Sequence, residues 1–208
     1  MFNDVELYAV VLCFIVGHLC GSVPSGLWLC RALYGIDIRE YGSHNIGTTN
    51  VFRTAGAAAA LFVLISDMLK GIIAVAAMHY LFRNHLLDAV TAMGALLGHN
   101  YSAFLGLKGG KGVATGLGLL IYLMPKASLC CFIIWAVLVG ATRYVSLGSI
   151  VAACAAPLAA WYFAYPLGYV VFAGCAGLFV VIRHKENIGR LLAGTESKIK
   201  PGHLEKKK

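Results

Sequence analysis

Residues Lys108–Gly116 read K-G-G-K-G-V-A-T-G and lie between two apolar stretches, 86–105 and 112–124. Glycines let a backbone approach a ligand closely, and the unpaired N–H groups that open a helix attract phosphate. Two ammonium groups, on Lys108 and Lys111, add positive charge to the same turn. A basic, glycine-rich turn joining two apolar segments belongs at one face of a membrane. There it points to chemistry on a phosphorylated substrate.

Composition agrees with the membrane. Hydrophobic residues make up 60% of the chain and charged residues 12%, about half the charged share of a soluble domain. Seven apolar segments follow one another, at about 5–30, 56–82, 86–105, 112–124, 126–142, 145–163 and 166–183. A full crossing takes ~20 residues, so the fourth and fifth are short. Pro125 separates them, and reading them as one kinked helix gives six crossings instead of seven.

Basic residues choose between the two counts. With seven crossings and the N-terminus outside, the inner face carries Arg31, Arg39, Arg53, Lys108, Lys111 and Arg143. With the Lys and Arg residues from Arg183 onward, that makes 14, against Arg83 and Lys126 outside and Lys70 within the membrane. Six crossings would put the basic tail opposite the glycine-rich turn. The positive-inside rule therefore favours an all-α, polytopic integral membrane protein of about seven helices, some short or partial, with a cytoplasmic C-terminus. The first segment lacks a basic leader and continues past Pro24, so it is expected to be a retained helix.

The polar inner stretches 31–55, 106–111 and 183–208 are too short to fold alone, so 1–208 reads as one domain, with 201–208 a flexible basic tail. The net charge of +8 does not call for nucleic acid, because the basic residues lie between apolar segments and in the tail. Seven cysteines (13, 20, 30, 130, 131, 154 and 175) show no C-x-x-C spacing. Buried, reduced thiols are expected, not a metal site or a disulfide framework.

Three stretches carry chemistry. D-I-R-E-Y-G-S-H-N-I-G-T-T-N-V-F-R, at 37–53, holds more hydrogen-bonding groups than a helix connection needs. Ser43, Asn45, Thr48, Thr49 and Asn50 can all donate, and Arg53 presents a planar fork matched to phosphate oxygens. The plainer alternative is a capped amphipathic helix from Ser43 to Arg53 at the interface. In the glycine-rich turn, the Lys111 ammonium and the N-terminal amides of the next helix converge, while Lys108 suits the lipid headgroups. Here the alternative is glycines for tight packing and lysines that set topology. The pattern is not G-x-x-x-x-G-K-[ST] and no strand precedes it, which argues against a nucleotide P-loop.

In R-H-K-E-N-I-G-R-L-L-A-G-T-E-S-K-I, at 183–199, His184 and Asn187 share a helical face. His184 can donate to phosphate or accept a proton; an interfacial helix end is the alternative. Asp67 and Lys70 lie three apart inside the second segment, where lone charges are costly. They either neutralise one another or anchor the helix to inner-face loops. His99, between Gly98 and Asn100, is placed to hydrogen-bond across helices and orient the turn. His18 and His79 have no patterned partner.

Together these stretches resemble the bacterial acyl-phosphate-dependent glycerol-3-phosphate acyltransferases. The resemblance covers G-S-V-P-S-G at 21–26, the 37–53 stretch, D-M-L-K-G at 67–71, G-H-N-Y-S-A-F-L-G-L-K-G-G-K-G-V-A-T at 98–115 and R-H-K-E-N-I-G-R-L-L-A-G-T-E at 183–196. It implies a multi-pass enzyme of the bacterial cytoplasmic membrane, active at the cytoplasmic face, that makes lysophosphatidic acid in the first acylation of phospholipid synthesis. Ser43, Arg53, Lys111, His184 and Asn187 are implied as catalytic. Together with Asn50 they are expected to bind glycerol 3-phosphate, while Gly109, Gly110, Lys111 and Gly112 bind a fatty acyl phosphate. Glu196 is implied to be structural, as Asp67, Lys70 and His99 are by their placement. No cofactor or metal is expected, and an enzyme that produces the acyl phosphate is the expected functional partner. Three positions depart from the family pattern: His44 replaces glycine, Thr48 alanine and Ser102 proline.

The reaction implied is attack by the 1-hydroxyl of glycerol 3-phosphate on the acyl-phosphate carbonyl. The donor is already activated, so no acyl-enzyme is needed. The protein must gather two anions, screen their repulsion and orient hydroxyl against carbonyl. Arg53, Lys111 and His184 are expected to supply the positive field, with Ser43 and Asn187 fixing geometry. The proton goes either to a substrate phosphate or to His184, and the acyl chain slides laterally between helices. No histidine begins an H-x-x-x-x-D pattern, so the acyl-CoA-type apparatus is absent. A phosphate or organophosphate transporter is the rival from another class, but a carrier needs a midplane site and these groups cluster on one face. A lipid-binding scaffold would leave them idle.

Overall fold

The computed structural model describes residues 6–202, so 203–208 of the expected tail lies outside the described residues. Among those described, the regular elements are helical: α1 (Leu7–Gly21), α2 (Ser25–Tyr34), α3 (Thr48–Ala55), α4 (Ala57–Phe82), α5 (His85–Asn100), α6 (Val113–Leu123), α7 (Pro125–Thr142), α8 (Val145–Tyr162), α9 (Leu167–Arg183) and α10 (Lys185–Leu192). Each apolar segment from 56 onward becomes one helix. The first does not, and the expectation of a single helix through Pro24 is corrected by a break at Ser22–Pro24.

A proline has no N–H to continue the helix, and a broken helix in hydrocarbon must hand its freed carbonyls to other donors. The Ser22 carbonyl accepts from Ser102 Oγ at 2.6 Å, and the Val23 carbonyl accepts from Lys70 Nζ at 2.9 Å. The same ammonium donates to Asp67 Oδ1 and to His99 Nδ1, both at 2.8 Å. An ammonium only donates, so His99 Nδ1 accepts and the ring proton sits on Nε2. Asp67 also accepts from Ser25 Oγ at 2.6 Å. Of the two alternatives in the sequence, neutralisation occurs; the further contacts of the pair go to the α1–α2 break and to α5, not to the inner-face loops.

Small residues let helices close on one another. Gly17 and Gly21 of α1 face Gly94 and Gly98 of α5 so closely that a Cβ on Gly21 would fall 2.0 Å from the Ala95 carbonyl oxygen. One on Gly98 would fall 2.1 Å from that of His18. This is the small-xxx-small crossing of membrane helices, made reciprocally. The helices α4, α7 and α8, and α1 with α2, are long and apolar enough to cross a bilayer. The α9–α10 pair bends by 59°. At 11 residues α6 spans about 16 Å, short of the ~30 Å core.

The polar stretches gather at one end of the bundle: α3, the glycine-rich turn, the α9–α10 bend and residues 193–202. At the other end Asp88 accepts from the Tyr169 hydroxyl at 2.7 Å and lies 3.0 Å from His79 Nδ1. His79 thus has a partner that its sequence position did not announce. Pro201 and Gly202 do not begin a free tail: the Gly202 N–H donates to the Phe52 carbonyl at 3.0 Å. All seven cysteines are free, as expected, but Cys154 and Cys175 are exposed, not buried; they sit on α8 and α9.

Lys70→Met removes the cation that pairs Asp67, leaving it only the Ser25 hydroxyl, and takes the donor from the Val23 carbonyl. Breaking a buried ion pair costs about 3–5 kcal/mol, and unfolding of the detergent-solubilised variant should show that loss. Adding Asp67→Asn removes the stranded charge and should recover part of it.

Candidate active site

A cavity of about 620 Å³ opens at the polar end and runs into the bundle. Two helices begin at its rim, and Thr48 and Thr49 of α3 and Val113 and Ala114 of α6 line it. The first N–H groups of each helix lack intrahelical partners and carry partial positive charge. Arg53 lies in the last turn of α3, and Lys111 stands just ahead of α6; both line the cavity. Between Lys111 and α6, Gly112 takes a left-handed φ of +79°, which reverses the chain into the helix.

The loop before α3 is tied together by Asn50. Its Nδ2 donates to the carbonyls of Ile38, Tyr41 and Asn45, and its Oδ1 accepts from the Ser43 N–H at 2.8 Å. The amide's hydrogen bonds go to the loop, although Asn50 also lines the cavity. Its work is to hold Ser43, whose exposed side chain lines the cavity. The helix begins at Thr48, not Ser43.

The glycine-rich turn divides into two parts. A Cβ on Gly109 would fall 2.1 Å from the His99 carbonyl oxygen, and one on Gly110 would fall 2.0 Å from His99 Nε2. The Gly110 N–H donates to the His99 carbonyl at 2.9 Å. Arg183 clamps the turn from α9, donating from Nε to the Gly110 carbonyl at 3.0 Å and from Nη2 to that of Gly109 at 2.9 Å. Gly109 and Gly110 therefore pack against His99, off the cavity wall, whereas Lys111 and Gly112 are on it. The acyl-phosphate expectation narrows to those two and the α6 N-terminus.

His184 sits at the α9–α10 bend, with Nδ1 2.7 Å from the Val180 carbonyl. A carbonyl only accepts, so the proton is on Nδ1 and Nε2 offers a lone pair. Burial, helped by Lys111 and opposed by the Val180 bond, lowers the imidazole to about 4. Without a bound anion it is therefore neutral near pH 7. Lys111 Nζ donates to Asn187 Oδ1. Asn187 Nδ2 and Ser146 Oγ each donate to Glu196 Oε1 at 2.7 Å, and Arg190 Nε donates to Oε2 at 2.7 Å. Burial raises the Glu196 carboxyl, but these three donors outweigh it and hold it below its ordinary value.

Residues 196–202 thus form a strap across the site, fixed by Glu196. Arg53 Nη2 donates to the Ser197 carbonyl at 2.7 Å. Arg53 Nε and Thr48 Oγ1 are buried with no partner among the described residues. Burial lowers both Lys111 and Arg53 from their ordinary values. Desolvated cations and idle donors around one cavity are what a bound anion would satisfy.

Away from the polar rim the cavity becomes an apolar arm between α6, α7, α8 and α9. Leu61 and Phe132 line it while remaining 56% and 48% exposed, so it also opens sideways to the membrane. Sequence reasoning brought Ser43, Arg53, Lys111, His184 and Asn187 to this cavity. It named Thr48 only as one of several possible donors, and gave no task to Ser146, Arg183 or Arg190. The two arginines stood in a quoted stretch, but their acceptors are backbone carbonyls on another turn and the strap carboxylate.

A family model described as glycerol-3-phosphate acyltransferase matches residues 11–194. A glycerol-3-phosphate acyltransferase of Synechococcus sp. (strain JA-3-3Ab) is 44% identical over 191 residues, covering 92% of this chain and 94% of its own. Glycerol-3-phosphate acyltransferase 2 of Moorella thermoacetica (strain ATCC 39073 / JCM 9320) is 46% identical over 189 residues, covering 91% and 97%. Two crystal structures of PlsY (YgiH), an integral membrane glycerol 3-phosphate acyltransferase, share the fold. Its glycerol 3-phosphate form superposes with a TM-score of 0.80 at 36% identity, covering 93% of this chain and 95% of that one. Its lysophosphatidic acid form gives 0.83 at 34% identity, covering 91% and 94%. With sequence and fold matched over nearly its whole length, the chain belongs to the glycerol-3-phosphate acyltransferase family.

Proposed function

We propose that the protein transfers a fatty acyl group from acyl phosphate to the 1-hydroxyl of glycerol 3-phosphate, giving lysophosphatidic acid and phosphate. One observation carries this reading: two helix N-termini meet in a single cavity, with Lys111 ahead of one and Arg53 in the last turn of the other helix, and the cavity's other arm is apolar and lined by lipid-facing Leu61 and Phe132. Two phosphates and one acyl chain fit that layout.

The acyl-phosphate head sits at the α6 N-terminus with Lys111 and Gly112, its chain in the apolar arm. The glycerol 3-phosphate head sits at the α3 N-terminus with Arg53 Nε and Thr48 Oγ1, and Ser43 steadies it. Neutral His184 takes the proton of the 1-hydroxyl on Nε2 as the new C–O bond forms. The carbonyl's bond to phosphate then breaks, and Lys111, oriented by Asn187, meets the charge on the leaving phosphate. Thus the positive field comes from Arg53, Lys111 and the helix ends, and His184 acts as base.

The same reading gives one membrane-embedded domain with seven crossings, the N-terminus outside and the site at the cytoplasmic face of a bacterial inner membrane. Support comes from the basic residues of the sequence, 14 of which fall on the site's side of that topology. An acyl-phosphate-producing enzyme is the functional partner.

Purified protein given glycerol 3-phosphate and palmitoyl phosphate should release lysophosphatidic acid and phosphate without acyl-CoA or acyl carrier protein. Comparable turnover of acyl-CoA, with acyl phosphate ignored, would show the donor to be misassigned. For topology, single reporter cysteines beside Arg53, Lys111 and His184, in a cysteine-free active background, should react with an impermeant thiol reagent only from the cytoplasmic side. Labelling of the glycine-rich turn from outside would reverse the orientation.

A further inference from the structure

We infer that Ala156 on α8 and Phe172 on α9 form the floor of the apolar arm and set the length of acyl chain the protein accepts. The inference rests on the acyl-transfer reading above. On α8 the lining runs from Val145 through Ala152 to Ala156; on α9 it runs from His184 through Ala176 to Phe172. The two walls therefore stop at one depth, about 16 Å from the polar rim by helical rise. Small side chains keep the arm open along the way.

Beyond that depth the arm meets packed core. Met124, Ala127, Ala160 and Tyr169 are buried, belong to the same apolar cluster as Ala156 and Phe172, and do not line the cavity. A chain whose phosphate is held at Lys111 runs down the arm and ends against Phe172. Interiors are close-packed, so methylenes beyond the floor have no room unless the core moves. Phe172 supplies the bulk of the floor, and Ala156 opposite supplies the remaining room.

The test measures kcat/KM for decanoyl, palmitoyl and stearoyl phosphate on wild type, Ala156→Phe and Phe172→Ala, each shown to be folded at the assay temperature. Ala156→Phe should lower palmitoyl relative to decanoyl turnover by about tenfold or more, since misfitting methylenes are each worth 10–200-fold in such a pocket. Phe172→Ala should raise stearoyl relative to palmitoyl turnover. The glycerol 3-phosphate KM should not move in either. Ratios unchanged in both folded variants would overturn the floor and route the chain through the side opening at Leu61 and Phe132. Thermal stabilisation by lysophosphatidic acids of the same chain lengths reads the arm without reference to the donor. The variants should reorder it in the same sense; an order unaffected by both would overturn the floor even if acyl phosphate proved not to be the donor.

Discussion

The polar end of this bundle depends on one buried ammonium. Lys70 Nζ ties the broken α1–α2 helix, through the Val23 carbonyl, to Asp67 on its own helix and to His99 on α5. His99 in turn carries the glycine-rich turn: its carbonyl takes the Gly110 N–H, and its ring lies where a Gly110 side chain would be. Arg183 closes the arrangement from α9. The charges of Lys70 and Asp67 are both answered by partners, which is the condition for charged atoms at membrane depth. The effect of the arrangement is to place Lys111 and the α6 N-terminus at the cavity rim. The turn is thus held from behind, by His99 and Arg183 directly and by Lys70 through His99.

The second constraint is electrostatic. Two anions must meet, and the protein answers with cations withdrawn from water and two helix ends aimed into one space. Glu196 could spoil such a field, but Arg190 pairs it and Ser146 and Asn187 bond to it, so its charge is spent on the strap. Asn187 then reaches Lys111 with its other atom. A neutral His184 beside them fits this economy of charge, because a base is needed there more than a further cation.

Much of the fold was legible because a bilayer demands long apolar runs, and α4, α7, α8 and α9 fall where those runs do. The Ser22–Pro24 break was not legible. Its stabilising donors, Ser102 and Lys70, are remote in sequence, and only the fold brings them to the freed carbonyls. In the site, Arg53, Lys111, His184 and Asn187 could be found because charged and amide groups are rare in an apolar chain. For Gly109 and Gly110 the sequence left close packing and anion binding both open, because a glycine serves either and the His99 that fills the space above them is 10 or 11 residues earlier. The loop bonds of Asn50 were not legible for a similar reason: an amide that can bind phosphate can equally bind the three carbonyls of its own loop.

The central claim is that the two phosphates occupy different helix N-termini. The most direct measurement is the KM for each substrate, varied separately, on folded Val113→Pro and Arg53→Ala proteins. Val113 is the first residue of α6, where proline removes an N–H that the helix itself does not use. The Val113→Pro protein should bind acyl phosphate more weakly with its glycerol 3-phosphate KM little changed. Arg53→Ala should do the opposite, by about 1.5–3 kcal/mol for a charge-assisted contact. The reverse pattern would mean the sites are exchanged, and equal effects on both substrates would contradict separate sites altogether.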